Sequence, residues 1–123
     1  MYFAAPLLTL LALGTGSFAA TVLRRDPATH VGTFQTYAHQ GCSFMPLCTR
    51  VVYGADVVRP PCHSFGDDSV ESVKLTEIGD GCQFFVYTDS ACSAGRSQVK
   101  PNTCTDAQGE WKSWGMECLP GHY

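Results

Sequence analysis

Phe34-Gln-Thr-Tyr37-Ala-His-Gln-Gly-Cys42-Ser43 and Phe84-Phe-Val-Tyr87-Thr-Asp-Ser-Ala-Cys92-Ser93 align without gaps and share Phe, Tyr, Cys and Ser. Each copy is followed by a second cysteine and then by an apolar-x-Ser-apolar-x-apolar stretch. In copy one these are Cys62 and Val70-Glu-Ser72-Val73-Lys-Leu75; in copy two they are Cys104 and Trp111-Lys-Ser113-Trp114-Gly-Met116. Self-similarity of this kind fixes an architecture before single residues are weighed. The alternative is chance likeness between two tyrosine-bearing strands. Read as a duplication, the chain holds repeat one over about 31–78 and repeat two over about 79–119, joined at the Gly79-Asp80-Gly81 turn.

Upstream of the repeats, Leu7-Leu8-Thr9-Leu10-Leu11-Ala12-Leu13 precedes small residues, with Ser17 and Ala19 at signal-peptidase spacing. This pattern predicts a secretory signal peptide over 1–19, too short to span a bilayer. Leu23-Arg24-Arg25-Asp26 resembles the dibasic site cut in the fungal secretory pathway, which makes 20–25 a short pro-segment and 26–123 the mature domain. Without Arg24 and Arg25, six Lys/Arg stand against eleven Asp/Glu, a net charge of about −5. An acidic surface argues against nucleic acid or anionic membrane, both of which are held through clustered Lys and Arg.

All seven cysteines, at 42, 48, 62, 82, 92, 104 and 118, fall in the mature region. In a small secreted chain this density reads as a disulfide framework, and no Cys-x2-Cys spacing suggests a metal. Repeat symmetry predicts Cys42–Cys62 and Cys92–Cys104 as equivalent bridges within each copy, with Cys82–Cys118 joining neighbouring strands. Bridges crossing between the halves in place of those two would mean that the repeat is coincidence and that the fold comparison built on it falls. Cys48 is left over, as a free thiol or the link of a disulfide-bonded homodimer; alternatively it, and not Cys42, partners Cys62.

Strands are predicted over Thr33–Ala38, Arg50–Tyr53, Ser69–Thr76, Gln83–Thr88, Ser97–Val99 and Glu110–Met116, from their Val, Phe, Tyr, Thr and Trp content and the Gly, Pro, Asp and Ser between them. Helix should be minor. Several short strands with regular turns indicate a small all-β sandwich or barrel.

Two units with Tyr-x4-Cys at the first hairpin and a serine near the end resemble the βγ-crystallin fold, a sandwich of two Greek keys. That resemblance implies Tyr37 and Tyr87 as hairpin aromatics and Ser72 and Ser113 as the serines that pin each hairpin. Relatives of that fold include secreted killer toxins, antimicrobial proteins and a protease inhibitor. The chain departs from the pattern in its cysteines and in a hairpin glycine that is displaced to Gly95 in copy two and missing from copy one. Signal peptide, dibasic site and cysteine density also resemble the small secreted cysteine-rich proteins of filamentous fungi, many of which are effectors or elicitors.

Candidate sites follow. Asp67, Asp68 and Ser72 form an acidic turn before the serine strand, where the crystallin resemblance implies calcium; a solvated turn is the alternative, and no other cofactor is expected. Tyr37, His39, His63, Glu71, Glu77, Arg96 and His122 supply the residue types of a guanyl-specific ribonuclease without its motif, and no Gly-x-Ser-x-Gly elbow is present. For binding, Met45, Tyr53 and Arg59 belong to the 44–61 segment, which only copy one has, and Trp111 is an aromatic anchor if exposed, with a place in the core as the favoured alternative. Alternation puts Trp111 and Trp114 on opposite faces of one strand. The expectation is a secreted, extracellular, non-enzymatic protein of the effector or elicitor kind. Its partner would be an extracellular protein or cell-surface ligand; a killer toxin, a protease inhibitor and, more weakly, a ribonuclease are the alternatives.

Overall fold

A computed structural model describes residues 29–58 and 61–120. The signal peptide, the dibasic site, Arg59 and His122 lie outside the described residues. Among the described residues, eight strands form two antiparallel four-stranded sheets. They are β1 (His30–Tyr37), β2 (Cys48–Tyr53), β3 (His63–Ser64), β4 (Val70–Ile78), β5 (Cys82–Tyr87), β6 (Ser97–Val99), β7 (Cys104–Trp111) and β8 (Ser113–Cys118). One sheet runs β2-β1-β4-β7 and the other β3-β8-β5-β6. A short helix, α1 (Gly54–Val58), follows β2.

The core lies between the sheets and is made by alternate residues of each strand. Phe34 from β1, Val73 and Leu75 from β4, Phe84 and Val86 from β5, and Trp114 and Met116 from β8 are all buried. Phe34 joins the sheets: its ring stacks on Phe84 at 4.6 Å and meets Trp114 edge-on at 5.0 Å. Phe85 and Tyr87 point the other way from β5 and are buried as well. The guanidinium of Arg96 lies 3.8 Å over the Phe85 ring.

The strand order makes the duplication concrete. The third strand of each repeat leaves its own sheet: β3 pairs with β8, and β7 pairs with β4. In both repeats the hairpin tyrosine stands opposite the serine of the fourth strand, Tyr37 across from Ser72 and Tyr87 across from Ser113. Ser72 Oγ accepts the Cys42 N–H at 2.9 Å and donates to the His39 carbonyl at 2.5 Å. Ser113 Oγ accepts the Cys92 N–H at 3.2 Å and donates to the Asp89 carbonyl at 2.5 Å. Cys42 and Cys92 both hold left-handed backbone, at φ 51° and 55°. These two serines pin two equivalent hairpins, each by one accepted and one donated bond.

Exchange of the third strands corrects the expected bridges. The structure pairs Cys42 with Cys104, Cys62 with Cys92, and Cys82 with Cys118. Cys104 opens β7, which lies in the sheet of repeat one, and Cys62 precedes β3, which lies in the sheet of repeat two. The hairpin cysteine of each repeat therefore meets the third-strand cysteine of the other. Both bridges cross between the halves, the outcome expected to mark the repeat as coincidence; that criterion is itself corrected, because the crossing is symmetric and follows from the exchanged third strands. Cys48 carries no disulfide and is exposed.

The expected strand Glu110–Met116 is in fact two strands that break at Lys112. There the chain passes from one sheet to the other: the Lys112 N–H donates to Tyr87 O and its carbonyl accepts from the Phe65 N–H. Trp111 and Trp114 consequently end in different sheets and are both core residues, 4% and 1% exposed. Alternation along one strand had placed them on opposite faces.

Candidate binding surface

Because the repeats are equivalent, each hairpin serves as a control for the other. In copy two, Asp89 closes the loop: its carboxylate accepts the N–H groups of Ser93 and Ala94, at 2.9 and 3.0 Å, and the Ser93 hydroxyl. Those bonds, the Ser93 hydroxyl first, lower the Asp89 pKa to about 2. Gly95 then turns the chain at φ 64°, where a Cβ would strike Thr88 Oγ1 at 2.3 Å. Everything at this tip is small or polar.

Copy one builds the same hairpin with different chemistry. His39 stands in the place of Asp89, and Phe44-Met45 in the place of Ala94-Gly95. Phe44 adopts the left-handed backbone itself, at φ 65°. For a bulky side chain that conformation is strained, and strain of this kind gathers at functional sites. Its ring lies 5.0 Å from that of His39, yet Phe44 remains 81% exposed and Met45 85%. The loop is held on both sides, by Cys42–Cys104 before it and by the Leu47 N–H on Thr36 O, at 2.7 Å, after it. Leu47, Val51 and Tyr53 continue the exposed apolar run along β2. Of the six large exposed hydrophobic residues among those described, five belong to this segment, the other being Leu119.

The far end of the segment is clamped to the core. Asp56 in α1 accepts the Tyr53 N–H at 2.9 Å and pairs with Arg50 at 3.7 Å. Its carbonyl accepts a hydrogen bond from His63 Nε2 at 2.7 Å. His63 stacks on Trp114 at 4.3 Å, and the Arg50 guanidinium lies 5.0 Å from the same indole. The segment is thus anchored by polar bonds over a buried tryptophan and by Val52 in the core, while Phe44, Met45, Leu47, Val51 and Tyr53 face solvent.

Charge is distributed unevenly too. All eleven carboxylate side chains lie at Asp26 or from Asp56 onward, so the β1–β2 hairpin carries none. An acidic protein here offers a carboxylate-free face, on which Arg50 is the one Lys or Arg.

The other sequence candidates are dispersed. Met45 and Tyr53 are on the exposed segment; Trp111 is not, and its indole N–H donates to Thr105 O at 3.1 Å within the core. That burial rules out the anchor reading and agrees with the core alternative. Asp67 and Asp68 occupy the exposed turn before β4, whereas Ser72 is buried at the hairpin pin. Among the described residues, no three His, Cys, Asp or Glu gather as a metal cage would require. The residues weighed for ribonuclease chemistry have separate engagements: Tyr37 with Gln35, His63 with Asp56 and Trp114, Glu77 with Thr33, and Arg96 with Phe85 and Glu117. Phe44, Arg50 and Asp56 were missed by sequence reasoning. Setting Ser43-Phe44-Met45 against Ser93-Ala94-Gly95 would have exposed Phe44. Compared with known proteins, the chain matches no family model, no curated protein and no solved structure.

Proposed function

We propose that this is a secreted, non-enzymatic protein of the effector or elicitor kind, which acts outside the cell on a host or competitor by docking the Phe44–Met45 tip into an apolar recess of an extracellular partner. The observation that carries this reading is the contrast between the two hairpins. One scaffold, used twice, ends once in a capped polar loop and once in two large apolar side chains set on strained backbone. Large apolar groups on a braced loop lose little freedom on docking, which is how hot-spot residues act. Three disulfides in a chain of 123 residues, with no helix among the described residues long and apolar enough to cross a membrane, are compatible with an extracellular setting.

The test compares the purified protein with a Phe44→Ser/Met45→Ser variant of unchanged melting temperature. Each is applied to plant tissue, to yeast and bacterial cultures, and to a panel of extracellular proteases. A tissue response lost in the double variant supports the effector reading. Growth arrest or protease inhibition lost in the same variant moves the role to toxin or inhibitor while keeping the site. Full activity in the variant refutes the tip as the docking site.

A further inference from the structure

We propose that Met45 is an oxidation site that regulates the docking tip: a peroxide converts its thioether to the sulfoxide and so switches the tip off. This deepens the docking reading above and rests on it for its effect.

Exposure selects the residue. Two methionines lie among the described residues, and the fold treats them oppositely. Met116 on β8 is 1% exposed in the core between the sheets, where an oxidant reaches it only if the sandwich opens. Met45 is 85% exposed, more than any other large hydrophobic residue among those described. The buried methionine is therefore an internal control for the exposed one. Cys48 is a second exposed sulfur outside the three bridges, and it has to be removed before the effect of Met45 is read alone.

The fold tolerates the change. Met45 stands where copy two has Gly95, so this hairpin closes without any side chain at that place. What holds the loop lies at other residues: the Cys42–Cys104 bridge, the Ser72 hydroxyl on the Cys42 N–H, and the Leu47 N–H on Thr36 O. Oxidation should leave the melting temperature where it was.

Docking does not tolerate it. Methionine is a soft, adaptable apolar group, and its sulfoxide is polar and accepts hydrogen bonds. Water satisfies that oxygen in the free protein, but an apolar recess cannot, so the cost falls on the docked state alone. An unpaired polar group of this kind weakens docking by roughly tenfold to a hundredfold. Oxidised, the tip of copy one acquires the polar character that the tip of copy two already has.

The reaction is a two-electron oxygen transfer from a peroxide, with hydrogen peroxide the simplest case. The Met45 sulfur lone pair attacks one peroxide oxygen, the O–O bond breaks, and the departing hydroxide takes the proton of the transferred oxygen and leaves as water. Sulfur is oxidised by two electrons and the peroxide reduced by two. Methionine sulfoxide reductases return the two electrons from thiols and restore the thioether.

The test treats folded, secreted Cys48→Ser protein with hydrogen peroxide and maps the added oxygen by peptide mass spectrometry. Docking is then read in two ways: by retention on a phenyl-bearing matrix as a stand-in apolar surface, and by the half-maximal dose in the tissue, growth or protease assays. Expected are oxygen on Met45 well before Met116, an unchanged melting temperature, weaker retention, and a dose raised roughly tenfold or more. Reductase treatment should reverse both readouts, and Met45→Leu should keep the retention and the dose while making them insensitive to peroxide. Equal oxidation of Met116, unchanged retention, or a peroxide effect that persists in Met45→Leu overturns the proposal. A tip that docks yet tolerates the sulfoxide refutes the switch alone; full activity of the Phe44→Ser/Met45→Ser variant refutes the docking reading and the switch with it.

Discussion

Replacing either pinning serine with alanine should cost far more than its size suggests. Ser72 and Ser113 are fully buried, and each joins an N–H and a carbonyl of its hairpin. Removing one hydroxyl breaks two bonds worth about 1 kcal/mol each and leaves two partly buried backbone groups short of a partner, for a total of about 2–3 kcal/mol. In a domain of this size that corresponds to a fall in melting temperature of roughly 10–20 °C. Total stability at about 0.05–0.15 kcal/mol per residue makes this a large share of the whole. Thermal unfolding followed by circular dichroism at neutral pH measures it directly. Because the hairpins are equivalent, Ser72→Ala and Ser113→Ala should agree to within about 1 kcal/mol, a spread typical of context. Losses below about 0.5 kcal/mol in both, or a large loss in one alone, would refute the argument that the serines act as paired pins.

Thr36→Val supplies the opposite case: its buried hydroxyl has no hydrogen-bond partner, so the substitution should be neutral or raise the melting temperature. Gly115→Ala should destabilise by about 1–3 kcal/mol, since a Cβ there lies 2.9 Å from the Pro61 carbonyl; unchanged stability would show that the 61–62 stretch yields freely. Asp89 has a folded pKa of about 2 against an ordinary 3.8, so its contribution is complete above about pH 4 and is lost as pH falls through 2. Wild type should therefore lose melting temperature across that window more steeply than Asp89→Asn, and parallel curves would count against the cap.

How far the sequence reached can be judged from particular residues. Tyr37, Ser72, Tyr87 and Ser113 stood out because the repeat doubled each signal, and their hairpin and pinning roles came from the crystallin resemblance, not from spacing. The bridge partners were not, because Cys104 and Cys62 are placed by strands that change sheet, a fact of topology that no spacing along the chain records. Trp111 and Trp114 were set on opposite faces of one strand for a related reason: one residue, Lys112, ends one strand and begins another, and alternation cannot register such a step. Met45 and Tyr53 were found from the unmatched segment. Phe44 was overlooked although it stands where copy two has Ala94, and its importance rests on a backbone angle.

The exchanged strands also bear on what a cut would do to this molecule. The Gly79-Asp80-Gly81 link between the repeats lies at the surface, with Gly81 at φ 80°, and is a natural place for an endopeptidase to nick. In most two-part proteins such a nick frees the parts. Here Cys42–Cys104 and Cys62–Cys92 each run from one side of the link to the other, and β3 and β7 each remain built into the opposite sheet. The nicked protein would be a two-chain molecule, covalently joined twice and still interleaved, whose halves part only on reduction and unfolding together.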